Sequence, residues 1–187
     1  TVWEDARTGS GLQGQNILVQ RFNGTGVAQG INVLVNDDGT ARPKSFPDLD
    51  VIPDGRAFCV WIDERDNSRQ IFAQRYSANG TAFGSNFRVS NAPAMTENFE
   101  PHIAARNDGS FVVAWLSIIG GRKVAYFQRY SGLGVPSGSV HMLEVDTASV
   151  QILDVDICAN YADHRFYVST IENDNGQINV KMYGYDA

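Results

Sequence analysis

Two short phrases recur along this chain, and their spacing constrains the fold more than any other feature. Val-Trp-x-Asp-x-Arg stands at Val2–Arg7 and again at Val60–Arg65, with a weaker copy at Val113–Trp115. Gln-Arg-aromatic stands at Gln20–Phe22, Gln74–Tyr76 and Gln128–Tyr130, 54 residues apart both times. Repetition at roughly 40 to 55 residues with strand-like content marks a propeller or a related array of stacked units.

Aligning the copies gives a four-part unit. A proline-led strand comes first, Phe46–Val51 and Glu100–Ala105, with a copy lacking the proline at Ile152–Ile157. Asp54-Gly55 and Asp108-Gly109 follow, and Asp-Gly suits the positive φ of a hairpin turn. The tryptophan strand is next, at Ala57–Asp63, Phe111–Ser117 and, without tryptophan, Phe166–Glu172. The Gln-Arg strand occupies Asn16–Phe22, Gln70–Tyr76, Val124–Tyr130 and Ile178–Tyr183. A short edge strand closes the unit at Val33–Asn36, Phe87–Ser90 and His141–Val145. No stretch carries helical periodicity, so the chain reads as all-β.

The tryptophan strand distinguishes between all-β architectures. Phe58, Val60 and Ile62 point one way, and Ala57, Cys59 and Trp61 the other, because side chains alternate across a strand. Both faces are apolar, whereas a simple two-sheet sandwich leaves one face of each strand wet. Sheets covered on both sides fit a β-propeller-like array of four-stranded antiparallel blades. The expected organisation is one repeat domain over 1–187, with units at about 1–44, 45–98, 99–150 and 151–187. The first unit lacks its opening strand and the last its closing one. A fragment of a longer propeller, copies that associate to complete a ring, and an open stack all accommodate this.

The phrases VWEDARTGSG…NILVQRF and VWIDERDNSRQIFAQRYSANGTAFGSNFRVS resemble a repeat of large bacterial secreted and cell-surface proteins. That resemblance implies propeller blades and an extracellular or cell-surface location. The second unit fits best. The third has Ser117 where the acid should be, and the fourth keeps little beyond Glu172 and the spacing.

Composition excludes several classes. The formal charge of −6 and a pI of about 4.9 argue against a nucleic-acid partner. No apolar run approaches the roughly 18 residues that span a bilayer. Thr1 starts directly in a strand-like phrase, so any secretion signal is expected upstream of it. Cys59 and Cys158, on different strand types two repeats apart, read as two buried thiols that do not pair.

Candidate chemistry is sparse. Asp5 and Asp63 end tryptophan strands, while Arg21, Arg75 and Arg129 lie on the neighbouring strand type. Carboxylate and guanidinium can pair in a planar two-bond geometry, which suggests a structural ion pair within or between blades. The sharper alternative is a sugar pocket in each blade, with Gln74 and its equivalents supplying further polar groups beside a tryptophan face. Asp48 and Asp50, and likewise Asp154 and Asp156, share a strand face. They could line a central channel as a metal or binding position, or as the paired carboxylates of a glycoside hydrolase.

The turns Asn36–Gly39 and Asn173–Gly176 could offer oxygens to calcium, without the full EF-hand spacing. Asn23-Gly24-Thr25 and Asn79-Gly80-Thr81 match the glycosylation triplet, though turn chemistry alone explains Asn-Gly. His102, His141 and His164 show no ligand spacing. A phosphate loop and the sialidase-type Ser-x-Asp-x-Gly-x-x-Trp box are absent.

These features favour a non-catalytic extracellular binding or scaffold module, with carbohydrate as the first ligand class and protein as the second. The alternatives are a fragment of a propeller glycoside hydrolase or lyase, and a structural subunit of a homo-oligomeric or filamentous assembly.

Overall fold

In the computed structural model the chain forms fourteen strands in four antiparallel sheets. Residues 1–7, 14–91, 97–160, 162 and 165–186 are described, without the side chains of 144 and 145. Sheet 1 holds β1 (Val2–Asp5), β2 (Asn16–Phe22) and β3 (Ala28–Leu34). Sheet 2 holds β4 (Lys44–Val51), β5 (Ala57–Asp63), β6 (Gln70–Tyr76) and β7 (Phe87–Arg88). Sheet 3 holds β8 (Asn98–Ala105), β9 (Phe111–Ile119), β10 (Arg122–Tyr130) and β11 (Pro136–Val145). Sheet 4 holds β12 (Val150–Asn160), β13 (Arg165–Asp174) and β14 (Gln177–Tyr185).

In each sheet the strands are neighbours in chain order, the meander that short hairpin turns impose. The β13–β14 turn has Asn175 at φ 50° and Gly176 at φ 92°, the paired left-handed conformation of a tight hairpin. The architecture is therefore an array of propeller-type blades. No helix occurs among the described residues, so none is long and apolar enough to cross a membrane.

The alternation within the tryptophan strands builds the stack. Cys59 and Trp61 face sheet 1 and pack on Ile17, Val19 and Val35. Phe58 and Val60 face the other way, into a core shared with Phe111, Val113 and Trp115 of sheet 3. Sheet 3 repeats the device, sending Val112, Ala114 and Leu116 against Phe166 and Val168 of sheet 4. Each tryptophan thus leans on the preceding sheet, and Trp61 and Trp115 are fully buried. Trp3, at the start of the array, is only half-buried. The far face of sheet 4 is exposed at Ile178, Val180 and Met182.

Two expectations about this scaffold change. The edge strands of sheets 1 and 3 begin earlier, at Ala28 and Pro136, because pairing with the Gln-Arg strand continues past a bulge as far as Phe22 opposite Ala28 and Tyr130 opposite Pro136. Cys158 is exposed rather than buried, because the face of β12 that carries it is not covered by another sheet. Cys59 is buried as expected, burial pushes its thiol up, and both cysteines are free.

Candidate functional site

Strands β4, β8 and β12 are the innermost strands of three successive sheets, so equivalent side chains on them meet near the axis of the stack. Asp48 pairs across its sheet with Val60, His102 with Ala114, and Asp156 with Ser169. These three residues hold the same place in consecutive units. His102 Nδ1 lies 3.7 Å from Asp48 Oδ2 and 3.6 Å from Asp156 Oδ1. Together with Asp50 and Cys158 they line an open cleft of about 350 Å³.

Backbone groups hold the carboxylates in position. Asp48 accepts hydrogen bonds from the Leu49 amide at 2.8 Å and from the Ile103 amide of the next sheet at 2.9 Å. Asp50 does the same with Val51 at 2.8 Å and Ala105 at 2.7 Å. These two aspartates stitch β4 to β8, where no strand pairing joins the sheets. Asp154 and Asp156 accept from the amides that follow them, Val155 and Ile157. Asp156 is the most exposed member of the line, with 67% of its side chain open to solvent.

Glu100 is a fifth carboxyl group near these four, outside the lining of the cleft itself. It precedes Pro101 in a bulge of β8 and has a φ of 48°, as Phe46 before Pro47 has 52° one unit earlier. Such a backbone is strained for a residue with a side chain. Its Oε2 atom is buried without a hydrogen-bond partner. Burial, and then the negative charge of Asp154, raises its pKa above the ordinary carboxyl value, with Lys123 opposing. Asp48 moves the other way. Burial works against its charge, but His102 and the Ile103 and Leu49 amides outweigh that and lower its pKa.

The contact with Asp48 raises the His102 pKa against the effect of burial, and the charges of Asp48, Asp156 and Asp154 add to it. A raised folded-state value means that His102 stabilises the fold fully below its ordinary pKa of 6.5. That contribution is lost as pH rises through the raised value. The expected NMR titration midpoint of the imidazole is above 6.5, and Asp48→Asn should lower it. A midpoint indifferent to Asp48→Asn would show that the contact carries no charge coupling.

The repeated aspartates and arginines do not pair as expected. Asp5 is taken by Arg7, and Asp63 by Arg65 at 2.8 Å, each partner two residues along in the same phrase. The hairpin that follows the strand brings that nearer guanidinium back onto the carboxylate. Asp63 also accepts from Trp61 Nε1 at 3.0 Å. The strand arginines instead reach the following sheet. Arg21 donates to the carbonyls of Ala78 and Asn79, Arg75 to that of Gly132, and Arg129 to that of Asp186. Donors and acceptors both advance by 54 residues.

Gln74 is buried, donating to the Arg75 and Gly84 carbonyls and accepting from Asn86. Gln20 and Gln128 close the gap between third and outer strands in the same way. The structure thus places Asp5, Asp63, Arg21, Arg75, Arg129 and Gln74 within and between sheets, while Asp48, Asp50 and Asp156 converge on the axis.

The acidic turn at Asn36–Gly39 is answered by protein cations. Lys44 binds Asp38 and Arg65 binds Asp37. No group of three or more His, Cys, Asp or Glu among the described residues is arranged to hold a metal ion. Asn23 and Asn79 cap their own turns through Thr25 and Thr81. His141 stacks on Phe127 at 4.8 Å, and His164 lies outside the described residues. His102 and Glu100 are the site residues that motif spacing missed. The 54-residue offset from Asp48 to His102 and on to Asp156 carries the signal for the first. The aligned pair Phe46 and Glu100, each before proline, carries it for the second.

No protein-family model matches the chain, and no curated protein matches it. Solved structures do resemble it in fold. A Hadza microbial sialidase superposes with a TM-score of 0.60 at 13% identity, over 91% of this chain and 38% of that one. Penicillium chrysogenum alpha-L-arabinanase complexed with arabinobiose gives 0.57 at 14% identity, over 96% of this chain and 58% of that one. The chain therefore spans well under two thirds of either protein, and what it shares with them at this identity is the blade architecture.

Proposed function

We propose that the chain is part of a saccharide-processing propeller that holds a glycan in the axial cleft and hydrolyses it there. The observation that carries this reading is the open axial cleft of about 350 Å³ on which Asp48, Asp50, His102 and Asp156 of three successive sheets converge, with Glu100 on the same inner strand as His102. Asp48 is held towards its ionised form and Glu100 towards its protonated form, the division of labour between base and acid in glycoside hydrolysis. Asp156, open to solvent across His102, is placed to meet substrate hydroxyls. The sialidase and the arabinanase, sugar-directed by name and alike in fold, support the same substrate class. A polysaccharide substrate also goes with an extracellular setting.

A non-catalytic binding module is the second reading, favoured by the two backbone amides already held by Asp48. One experiment separates them. The protein is incubated with arabinan, sialyllactose and a panel of plant and microbial polysaccharides, and reducing ends and electrophoretic retardation are both measured. We expect release of reducing ends that falls by about 10²-fold or more in Glu100→Gln and in Asp48→Asn, with retardation retained. Retardation without release in the parent protein would leave the binding module. Neither signal on any glycan would remove the saccharide reading.

A further inference from the structure

Two inner strands each hold a residue in a backbone conformation that only glycine adopts freely. Phe46 in β4 and Glu100 in β8 have φ values of 52° and 48°, each directly before a proline and inside a bulge of its strand. Phe46, Glu100 and Asp154 are 54 residues apart, as Asp48, His102 and Asp156 are. They occupy one place in three consecutive units, two residues before the trio of the cleft, and form a second tier beside it. Contacts on both sides fix the pose of Phe46. Its amide donates to Glu4 Oε1 of sheet 1 at 2.8 Å. Its ring lies 6.0 Å from the Arg69 guanidinium, which stands 4.8 Å over the ring of Phe99, the neighbour of Glu100 in β8. The phenyl group is nevertheless left open, since Phe46 is 52% exposed.

We propose that Phe46 is the stacking platform of the axial site and that it selects a pyranose ring. The inference rests on the saccharide reading above and adds the ring type and the residue that reads it. A bulky residue in the left-handed region is strained, and such strain collects at ligand sites. Strain that holds a phenylalanine in water does not stabilise the fold. An aromatic face beside carboxyl groups, in contrast, is the combination that holds a sugar, with the ring against its apolar side and the oxygens on its hydroxyls. A pyranose with equatorial hydroxyls presents a flat row of axial C–H bonds to such a face. The smaller, puckered furanose ring of arabinan covers less of it.

Affinity electrophoresis in xylan, mixed-linkage β-glucan and arabinan tests this. The parent protein should be retarded by one or both of the pyranose polysaccharides and less by arabinan. Phe46→Ala and Phe46→Gly should weaken that retardation about tenfold, the worth of covering one phenyl face, and Phe46→Trp should keep it. Phe46→Gly also relieves the backbone, so it should melt no lower than the parent, a result that a phenylalanine kept for packing does not give. Where Phe46→Gly melts lower, Phe46→Ala decides by its retardation. The proposal is overturned if Phe46→Ala is retarded as strongly as the parent, or if arabinan alone is bound. Absence of retardation of the parent in all three overturns it as well, and only that outcome also counts against the saccharide reading.

Discussion

Replacing Trp61 by alanine is expected to cost about 3–5 kcal/mol of folding stability. The indole is fully buried between sheets 1 and 2, against Ile17, Val19 and Val35, with the Phe72 ring at 6.4 Å. Its Nε1 donates to Asp63 Oδ2 at 3.0 Å, so truncation also takes a partner from a carboxylate with no solvent exposure. Domains of this size are stable by only about 5–15 kcal/mol, so the loss is a large fraction of the whole. It should appear as a lower denaturant midpoint, with amide exchange rising first in β1 to β3, which rest on that face. Trp3→Ala, at the half-buried equivalent position, should cost much less. A loss below about 1 kcal/mol for Trp61→Ala would contradict the picture of sheets that depend on one another's side chains.

Lys44→Met should be nearly as damaging at neutral pH, by about 3–5 kcal/mol, because it strands a buried carboxylate. The Lys44 ammonium has no exposure and donates to Asp38 Oδ2 at 2.8 Å, to the Arg42 carbonyl at 2.9 Å and to Thr40 Oγ1 at 3.0 Å. Burial pushes the Asp38 pKa up, but the hydrogen bonds from Lys44, Thr40 and Asn36 and the lysine charge hold it at about 2, against an ordinary 3.8. A depressed carboxyl stabilises the fold above its unfolded value and loses that contribution as pH falls through its folded one. The contribution is about 2 kcal/mol. Denaturation at pH 7 and near pH 2 should therefore show parent and variant far apart in the first case and closer in the second. An equal gap at both pH values would show that the lysine acts through packing alone.

The repeat made the scaffold readable. Ala57–Asp63 and Gln70–Tyr76 are strands with the bounds their alternation and phrasing suggest. Asp48 and Asp156 were legible as axial residues because they alternate with apolar neighbours on an inner strand. The partners of the repeated aspartates were not legible. Which arginine a carboxylate takes depends on how the chain turns after the strand, and the turn brings Arg65 back onto Asp63 before Arg75 can reach it. Spacing along the chain carries no sign of the role of His102, because its neighbours Asp48 and Asp156 come from the units before and after. The exposure of Cys158 follows from its place on the open axial cleft, which depends on how three sheets meet and which no pattern within the strand encodes.

The arginine bonds from one sheet to the next run in a single sense, with the donor always on the earlier unit and the acceptor always on the later. A contact between two molecules that reused this arrangement would be heterologous, joining the trailing end of one to the leading end of another. Such contacts close into rings or grow into filaments. A two-fold dimer would not extend this series between molecules, while the bonds inside each molecule would stay as they are.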